Sequence, residues 1–218
     1  WEKRLAKTNS SNASPLLLPV NGRPQLLVAS NNLLEALDPV DGKSLWSFKR
    51  RMGDLSPVYG SGLLFTDTPG GPGIAIDPSG HGDVTKTHLK WTIDKTPASY
   101  AYASPVIAGD YIYRVHKPGL LHCWKLSTGE LLYAERLEGL TNLASPVSTS
   151  EGRVYFVTSA TSYVIQAGPK LEVLAKNELG GYNGNNGPSP ALANGRIYVR
   201  DAAPAGGGPA CLYCIGKK

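Results

Sequence analysis

Ser104-Pro105-Val106-Ile107-Ala108-Gly109-Asp110-Tyr111-Ile112-Tyr113-Arg114-Val115 is the most legible stretch of this chain. Its first five residues read as a short strand, with the proline near the start, where no ladder hydrogen bond is lost. Gly109-Asp110 makes a tight turn. Tyr111 to Val115 is rich in aromatic and β-branched residues and reads as a second strand. His116-Lys117-Pro118-Gly119 is expected to turn, Leu120 to Leu126 to form a third strand, Ser127-Thr128-Gly129-Glu130 to turn again, and Leu131 to Glu135 to form a fourth. Four short antiparallel strands cannot bury both faces of their sheet, so this unit must stack on neighbours.

The Ser-Pro opening recurs at Ser14, Ser56, Ser104, Ser145 and Ser189, at intervals of 42, 48, 41 and 44 residues. A strand-like sequence with a period of roughly 40–50 residues is the signature of β-propeller blades. The expected fold is all-β, a β-propeller of four-stranded antiparallel blades with about five blades in this chain. The blades fall at 14–48, 56–93, 104–136, 145–177 and 189–215, in a single partial propeller domain over 1–218. The second repeat carries its extra length as a loop from Pro78 to His88. The fifth has a second strand at Arg196–Val199 and a third at Cys211–Ile215, and no fourth. Trp1-Glu2-Lys3-Arg4-Leu5 reads as an orphan fourth strand able to complete a blade and remove an exposed edge.

Composition supports many short strands and turns: 25 Gly, 17 Pro and 18% charged residues. The net charge is +5, yet Lys and Arg are dispersed, with the densest run at Lys49-Arg50-Arg51. That distribution argues against a nucleic-acid face. No apolar stretch approaches the ~20 residues of a membrane-spanning helix, and Trp1-Glu2-Lys3-Arg4 is not a targeting sequence. A chain beginning where its gene begins would be cytoplasmic; a fragment would not support that inference. The Cys211-Leu212-Tyr213-Cys214 spacing fits redox or zinc chemistry, but in an extended run residues three apart point to opposite faces. Two buried structural cysteines are the expectation there.

The segment from third to fourth strand carries a resemblance. Ala36, Asp38, Gly42 and Trp46 match the pyrroloquinoline-quinone-type propeller repeat, which reads roughly Ala-x-Asp-x-x-Thr-Gly-x-x-x-Trp, with Asp41 in the threonine place. Thr128 and Gly129 match in the third repeat, where Tyr133 replaces Trp and Lys125 replaces Asp. The second keeps Ala75, Asp77 and Trp91 around its insertion, and the fourth departs at Gln166-Ala167-Gly168. The chain thus resembles quinoprotein-alcohol-dehydrogenase-like proteins, most of all uncharacterised exported ones of planctomycete-type bacteria. The resemblance implies a structural tryptophan docking near the next blade's turn glycine. It also implies a bacterial, periplasmic or secreted protein, and a C-terminal part of a seven- or eight-bladed ring.

Function is expected on the face with the longer loops, because binding residues sit on loops held by a rigid scaffold. The candidates there are Tyr100, Tyr102, His116, Lys117, Tyr182, Asn183, Asn185 and Asn186. Gly-Gly-Tyr-Asn-Gly-Asn-Asn-Gly permits close backbone approach to a ligand, though a loop chosen only for turning has the same composition. His116 with His122, and His81 with His88, lack metal-ligand spacing, and surface hydrogen bonding is expected of them. Asp77 to Asp83 lacks the pattern of an EF-hand loop. No catalytic, cofactor-binding or metal-binding residues are assigned, and nucleophile, phosphate-loop and dinucleotide motifs are absent.

These readings favour a non-enzymatic scaffold that binds a protein or small ligand on the long-loop face, with no nucleic-acid partner. No cofactor is expected of it. The alternative is part of a quinoprotein oxidoreductase whose catalytic residues lie upstream. Only that alternative calls for pyrroloquinoline quinone with calcium, which the resemblance associates with an adjacent cysteine pair, Glu and Asn ligands and an Asp base.

Overall fold

The computed structural model describes residues 1–4, 11–30, 32–50, 55–68, 72–93, 102–141, 143–157, 161–179, 188–200 and 210–216. Among them there are strands and no helix. The chain divides into two compact units, Trp1–Ala98 with Leu126–Gly129, and Ser99–Lys125 with Glu130–Lys218.

The first unit holds two blades. Strands β1 (Leu16–Val20), β2 (Arg23–Ser30), β3 (Leu33–Leu37) and β4 (Ser44–Lys49) form the first. Strands β5 (Val58–Gly60), β6 (Leu63–Thr66) and β7 (Gly73–Ile76) begin the second. The insertion then contributes β8 (Gly82–Asp83), and β9 (Leu89–Ile93) completes the second blade beside β7. The two sheets bury one core between them, with Leu18, Leu27, Leu34, Trp46 and Phe48 of the first against Leu64, Ile74 and Ile76 of the second.

The second unit holds the remaining sheets. The third blade is β10 (Val106–Ala108), β11 (Tyr111–Lys117), β12 (Leu120–Lys125) and β13 (Leu131–Arg136). The fourth is β14 (Val147–Ser148), β15 (Arg153–Val157), β16 (Thr161–Gln166) and β17 (Glu172–Glu178). The fifth sheet has β18 (Ala191–Ala193), β19 (Arg196–Arg200) and β20 (Leu212–Ile215). Tyr113, Val115, Leu121 and Cys123 pack on Val154, Phe156, Tyr163 and Ile165. Val157 packs on Val199, flanked by Leu179, Ile197 and Tyr213.

The structure accounts for the Ser-Pro repeat. In all five copies the proline stands at or just before the start of the innermost strand. Proline holds the preceding serine extended, and that serine's N–H reaches into the next blade. Ser14 N–H donates to Ser56 Oγ at 2.9 Å. Ser104 N–H donates to Ser145 Oγ at 2.9 Å, and Ser145 N–H to Ser189 Oγ at 3.0 Å. In each of these pairs the hydroxyl satisfies a backbone donor one repeat upstream. Replacing Ser145 by Ala should therefore destabilise the fold by about 1 kcal/mol, the worth of one such bond, read as a lowered urea midpoint with an unchanged slope.

A second regularity sits at the outer strand. Ala36 pairs Trp46, Ala75 pairs Trp91, Cys123 pairs Tyr133 and Val164 pairs Ala175. In each ladder the register shifts beside that pair, skipping Leu45, Lys90, Leu132 or Leu174. As the outer residue shrinks from Trp through Tyr to Ala, its partner grows from Ala through Cys to Val. Paired volume is roughly conserved, as a close-packed interior requires.

The tryptophans dock as the resemblance implies at two places, both in the first unit. The Trp1 ring lies over Gly42, where an added Cβ would sit 2.5 Å from ring carbon Cε3, and its Nε1 donates to Pro39 O at 3.1 Å. Trp91 lies over Gly129 in the same way: a Cβ added there would stand 2.6 Å from the ring, and its Nε1 donates to Leu126 O at 3.0 Å. Each indole N–H thus meets the carbonyl three residues before its glycine. The motif aspartates build the turns: Asp38 Oδ1 accepts the Val40 N–H and Asp77 Oδ1 the Ser79 N–H, at 2.8 and 3.0 Å.

Several expectations need correction. The Pro78–His88 insertion is more than a loop: β8 pairs in parallel with β4, so the first sheet has five strands. Lys49 bonds Asp83 at 2.7 Å, and its N–H donates to Thr85 Oγ1. Trp46 accordingly docks differently. It is fully buried and donates to Gln25 Oε1 at 2.8 Å, while Gln25 Nε2 reaches Pro78 O at 3.4 Å. The turn expected at His116–Gly119 narrows to Pro118-Gly119, because β11 runs on through Lys117. Trp1–Arg4 is not assigned to a strand; it is held instead by the Trp1 dock and by Lys3 Nζ on Glu35 Oε1 at 2.8 Å. Cys211 and Cys214 are exposed rather than buried, since among the described residues no strand pairs with the outer edge of β20.

Candidate functional site

Of the loop-face candidates, Tyr100, Tyr182, Asn183, Asn185 and Asn186 lie outside the described residues. Tyr102 is 67% exposed on the segment leading into β10, available for contact. Lys117 ends β11. His116, expected on a loop, belongs to the same strand and is only 2% exposed.

The burial of His116 follows from pairing geometry. A tight Pro118-Gly119 turn sets Arg114 opposite His122 and Ile112 opposite Trp124. Alternation then puts Arg114, His122 and Trp124 on one face of the hairpin, and His116, which the ladder skips between Val115 and Lys117, sets its ring on the same side against His122 and Trp124. Arg114, His122 and Trp124 are buried as well, so the two histidines are not surface groups. His116 Nδ1 and His122 Nδ1 stand 3.3 Å apart. Their rings meet edge to face at 4.9 Å, and His122 stacks on Trp124 at 5.2 Å with planes 7° apart. Sequence reasoning missed Arg114, His122 and Trp124 as a cluster; the signal was the period-two spacing on both sides of a short turn.

The electrostatics of this cluster oppose a second positive charge. Burial, then His116 and Arg114, push the His122 pKa down to about 4. Between the Nδ1 atoms one ring donates and the other accepts, a contact open to neutral His122. The sign of the pH effect follows. An unfolded histidine takes its proton near pH 6.5, while folded His122 resists it until about pH 4. The stabilisation is complete above pH 6.5 and is lost as pH falls toward 4, on the order of 2 kcal/mol. Urea midpoints across that window should fall for the native chain, and less for His122→Leu, where the titrating group is gone.

The opposite face of this blade carries a second polar cluster. Gly168 N–H donates to the Tyr113 hydroxyl at 2.9 Å. Cys123 Sγ lies 3.9 Å from Gly168 O. Tyr133 buries its hydroxyl beside Tyr113 and Cys123 without a hydrogen bond of good geometry. Burial raises the Tyr113 and Tyr133 phenols and pushes the Cys123 thiol up to about 11. At neutral pH Cys123 is a protonated thiol and a poor nucleophile.

In the first unit the polar corner is Thr66, Asp67 and Thr68, all buried. Arg50 extends there, donates from Nη2 to Pro72 O at 2.6 Å and feels the Asp67 charge. Among the described residues no group of three His, Cys, Asp or Glu side chains is placed to hold a metal ion. Among the described residues Cys123 is sealed beside Tyr113, Cys211 and Cys214 are separated by two residues, and the buried Glu35 carboxylate is engaged by Lys3.

No protein-family model matches the chain, and no curated protein does. Among solved structures, the crystal structure of BamB from Moraxella catarrhalis is similar, with a TM-score of 0.60 at 15% identity. The match covers 92% of this chain and 57% of that one, so the chain spans little more than half the length of its structural neighbour. At this identity the likeness bears on architecture: the chain has an all-β fold of β-propeller blades.

Proposed function

We propose that this chain is a non-enzymatic β-propeller scaffold built from pyrroloquinoline-quinone-type repeats, periplasmic or secreted, that binds a protein or small ligand on its long-loop face. One observation carries the reading. The residues that recur from blade to blade are engaged in holding the blades: serine hydroxyls on backbone donors, Trp1 and Trp91 on glycine turns, Asp38 and Asp77 within their own turns. Burial likewise holds His122 and Cys123 toward their neutral forms. Exposed Tyr102 supplies the kind of aromatic anchor that dominates protein contacts.

Reconstitution with pyrroloquinoline quinone and calcium tests this directly. The scaffold reading expects no reduction of an artificial electron-acceptor dye with alcohols or sugars as substrates. Quinone-dependent dye reduction above the rate of free cofactor would overturn it in favour of an oxidoreductase.

A further inference from the structure

The insertion in the second blade replaces a turn that the first and third blades keep short. Asp38 N–H donates to Lys43 O across residues 39–42, and Lys125 N–H to Glu130 O across residues 126–129. Asp77 N–H makes the same closing bond to His88 O, but across residues 78–87. Pro78 thus stands where Pro39 and Leu126 stand, whose carbonyls accept the indole N–H of Trp1 and of Trp91. Gln25 Nε2 donates to Pro78 O instead, at 3.4 Å, while Gln25 Oε1 accepts Trp46 Nε1 at 2.8 Å. The Gln25 amide therefore bridges the donor and acceptor that meet directly in the other two docks. The blade accommodates the insertion, whose ends meet as those of a compact surface loop do.

The added residues form a strap that turns back onto β4. Val84 N–H donates to Ser47 O at 2.9 Å and Lys49 N–H to Thr85 Oγ1 at 2.9 Å, while Lys49 Nζ meets Asp83 Oδ2 at 2.7 Å. Val84 anchors the strap, being 1% exposed within the core that holds Trp46 and Phe48. Gly80 permits the tight return: a Cβ there would stand 2.5 Å from Val84 Cγ1 and 2.7 Å from His88 Nε2. The strand under the strap differs from the other outer strands. Strands β9, β13 and β17 carry Lys90, Glu135 and Lys176 inside their runs. The interior of β4, Leu45-Trp46-Ser47-Phe48, carries no charge. Charges within an edge strand keep it from pairing with another chain, and β4 has the strap in their place.

We infer that the 78–87 strap is a built-in edge guard, holding from within the chain the β4 edge that a second copy of this chain would otherwise pair with, β4 against β4. An uncharged strand is complementary to itself, so a two-fold pairing places the same surface on both sides. The tether gives the strap its advantage. A short linker presents it at an effective concentration on the order of millimolar, which a second copy at about micromolar concentration does not match. The role is independent of what the long-loop face binds.

Sedimentation velocity over a concentration series tests it on three full chains. One is native. In the second, residues 78–87 give way to Pro-Val-Asp-Gly, the turn that the first blade uses at residues 39–42. The third keeps its length and carries Asp83→Lys with Val84→Pro, which sets a cation against Lys49 and removes the N–H that Ser47 O accepts. Both variants should associate at a protein concentration roughly tenfold or more below that of the native chain. Adding Ser47→Lys, which puts a charge inside β4, should return them to native behaviour. A strapless chain that stays as dispersed as the native one overturns the proposal, and so does association that Ser47→Lys leaves unchanged. If the strapless chain shows no cooperative melt, the chain of native length decides by the same two readings.

Discussion

Gly129→Ala should lower stability by about 3–4 kcal/mol, far more than an ordinary glycine substitution. Two costs add. Gly129 has φ +75°, in the left-handed region, where a side chain costs roughly 1–2 kcal/mol. Its new Cβ would also stand 2.6 Å from the Trp91 ring, and overpacking of that kind costs about 1–3 kcal/mol. The ring has little room to retreat, since its N–H is fixed on Leu126 O and it packs beside Phe65 at 5.7 Å. Gly109→Ala separates the two costs. Gly109 has φ +60° with nothing within 4 Å of its added Cβ, so only about 1–2 kcal/mol should be lost. Urea midpoints of the two variants, measured side by side, check the difference.

Trp46→Ala carries the second large effect, a loss of about 4 kcal/mol or more. Trp46 is fully buried, and truncating a buried Trp costs about 3–5 kcal/mol. The substitution also strips the donor from Gln25 Oε1, leaving a buried amide oxygen unsatisfied. Trp46→Phe keeps most of the ring and loses the N–H, so it should cost roughly 2 kcal/mol. In a Gln25→Leu background the Phe substitution should cost less, because the stranded acceptor has gone. Thermal melts of these variants read the order: Ala worst, Phe intermediate.

How much of this was legible in the sequence depends on the range of the interaction. The Ser-Pro phrases located all five inner strands to within a residue or two, because proline acts on its own neighbours. Strands β11, β12 and β13 start where expected, at Tyr111, Leu120 and Leu131, since turn residues bracket each run. The Trp-on-Gly dock was legible through the resemblance, as Trp1 and Trp91 demonstrate. Trp46 was not, because its dock depends on Gln25 and on an insertion from the next repeat. Strand β8 was equally hidden: two residues, Gly82-Asp83, have no strand propensity, and their pairing to β4 is a tertiary event. His116 read as a turn residue and His122 as a surface hydrogen-bonding group, until the short Pro118-Gly119 turn and the bulge at His116 brought both rings together in a buried position. Cys211 and Cys214 follow an apolar strand pattern, yet burial requires a covering strand, and no local pattern encodes one.

The loop-face candidates illustrate the other limit. Tyr182, Asn183, Asn185 and Asn186 lie outside the described residues, while Tyr102 presents an exposed aromatic side chain within them.

The central claim is that the recurring residues are spent on holding blade to blade. A double-mutant cycle on Trp91 and Gly129 tests it most directly, because the two residues meet in one dock. In the Trp91→Ala background, Gly129→Ala should cost only the left-handed backbone strain, about 1–2 kcal/mol. A coupling of roughly 2 kcal/mol between the two sites is therefore predicted. Additive effects, with Gly129→Ala equally costly whether or not the tryptophan is present, would contradict the account.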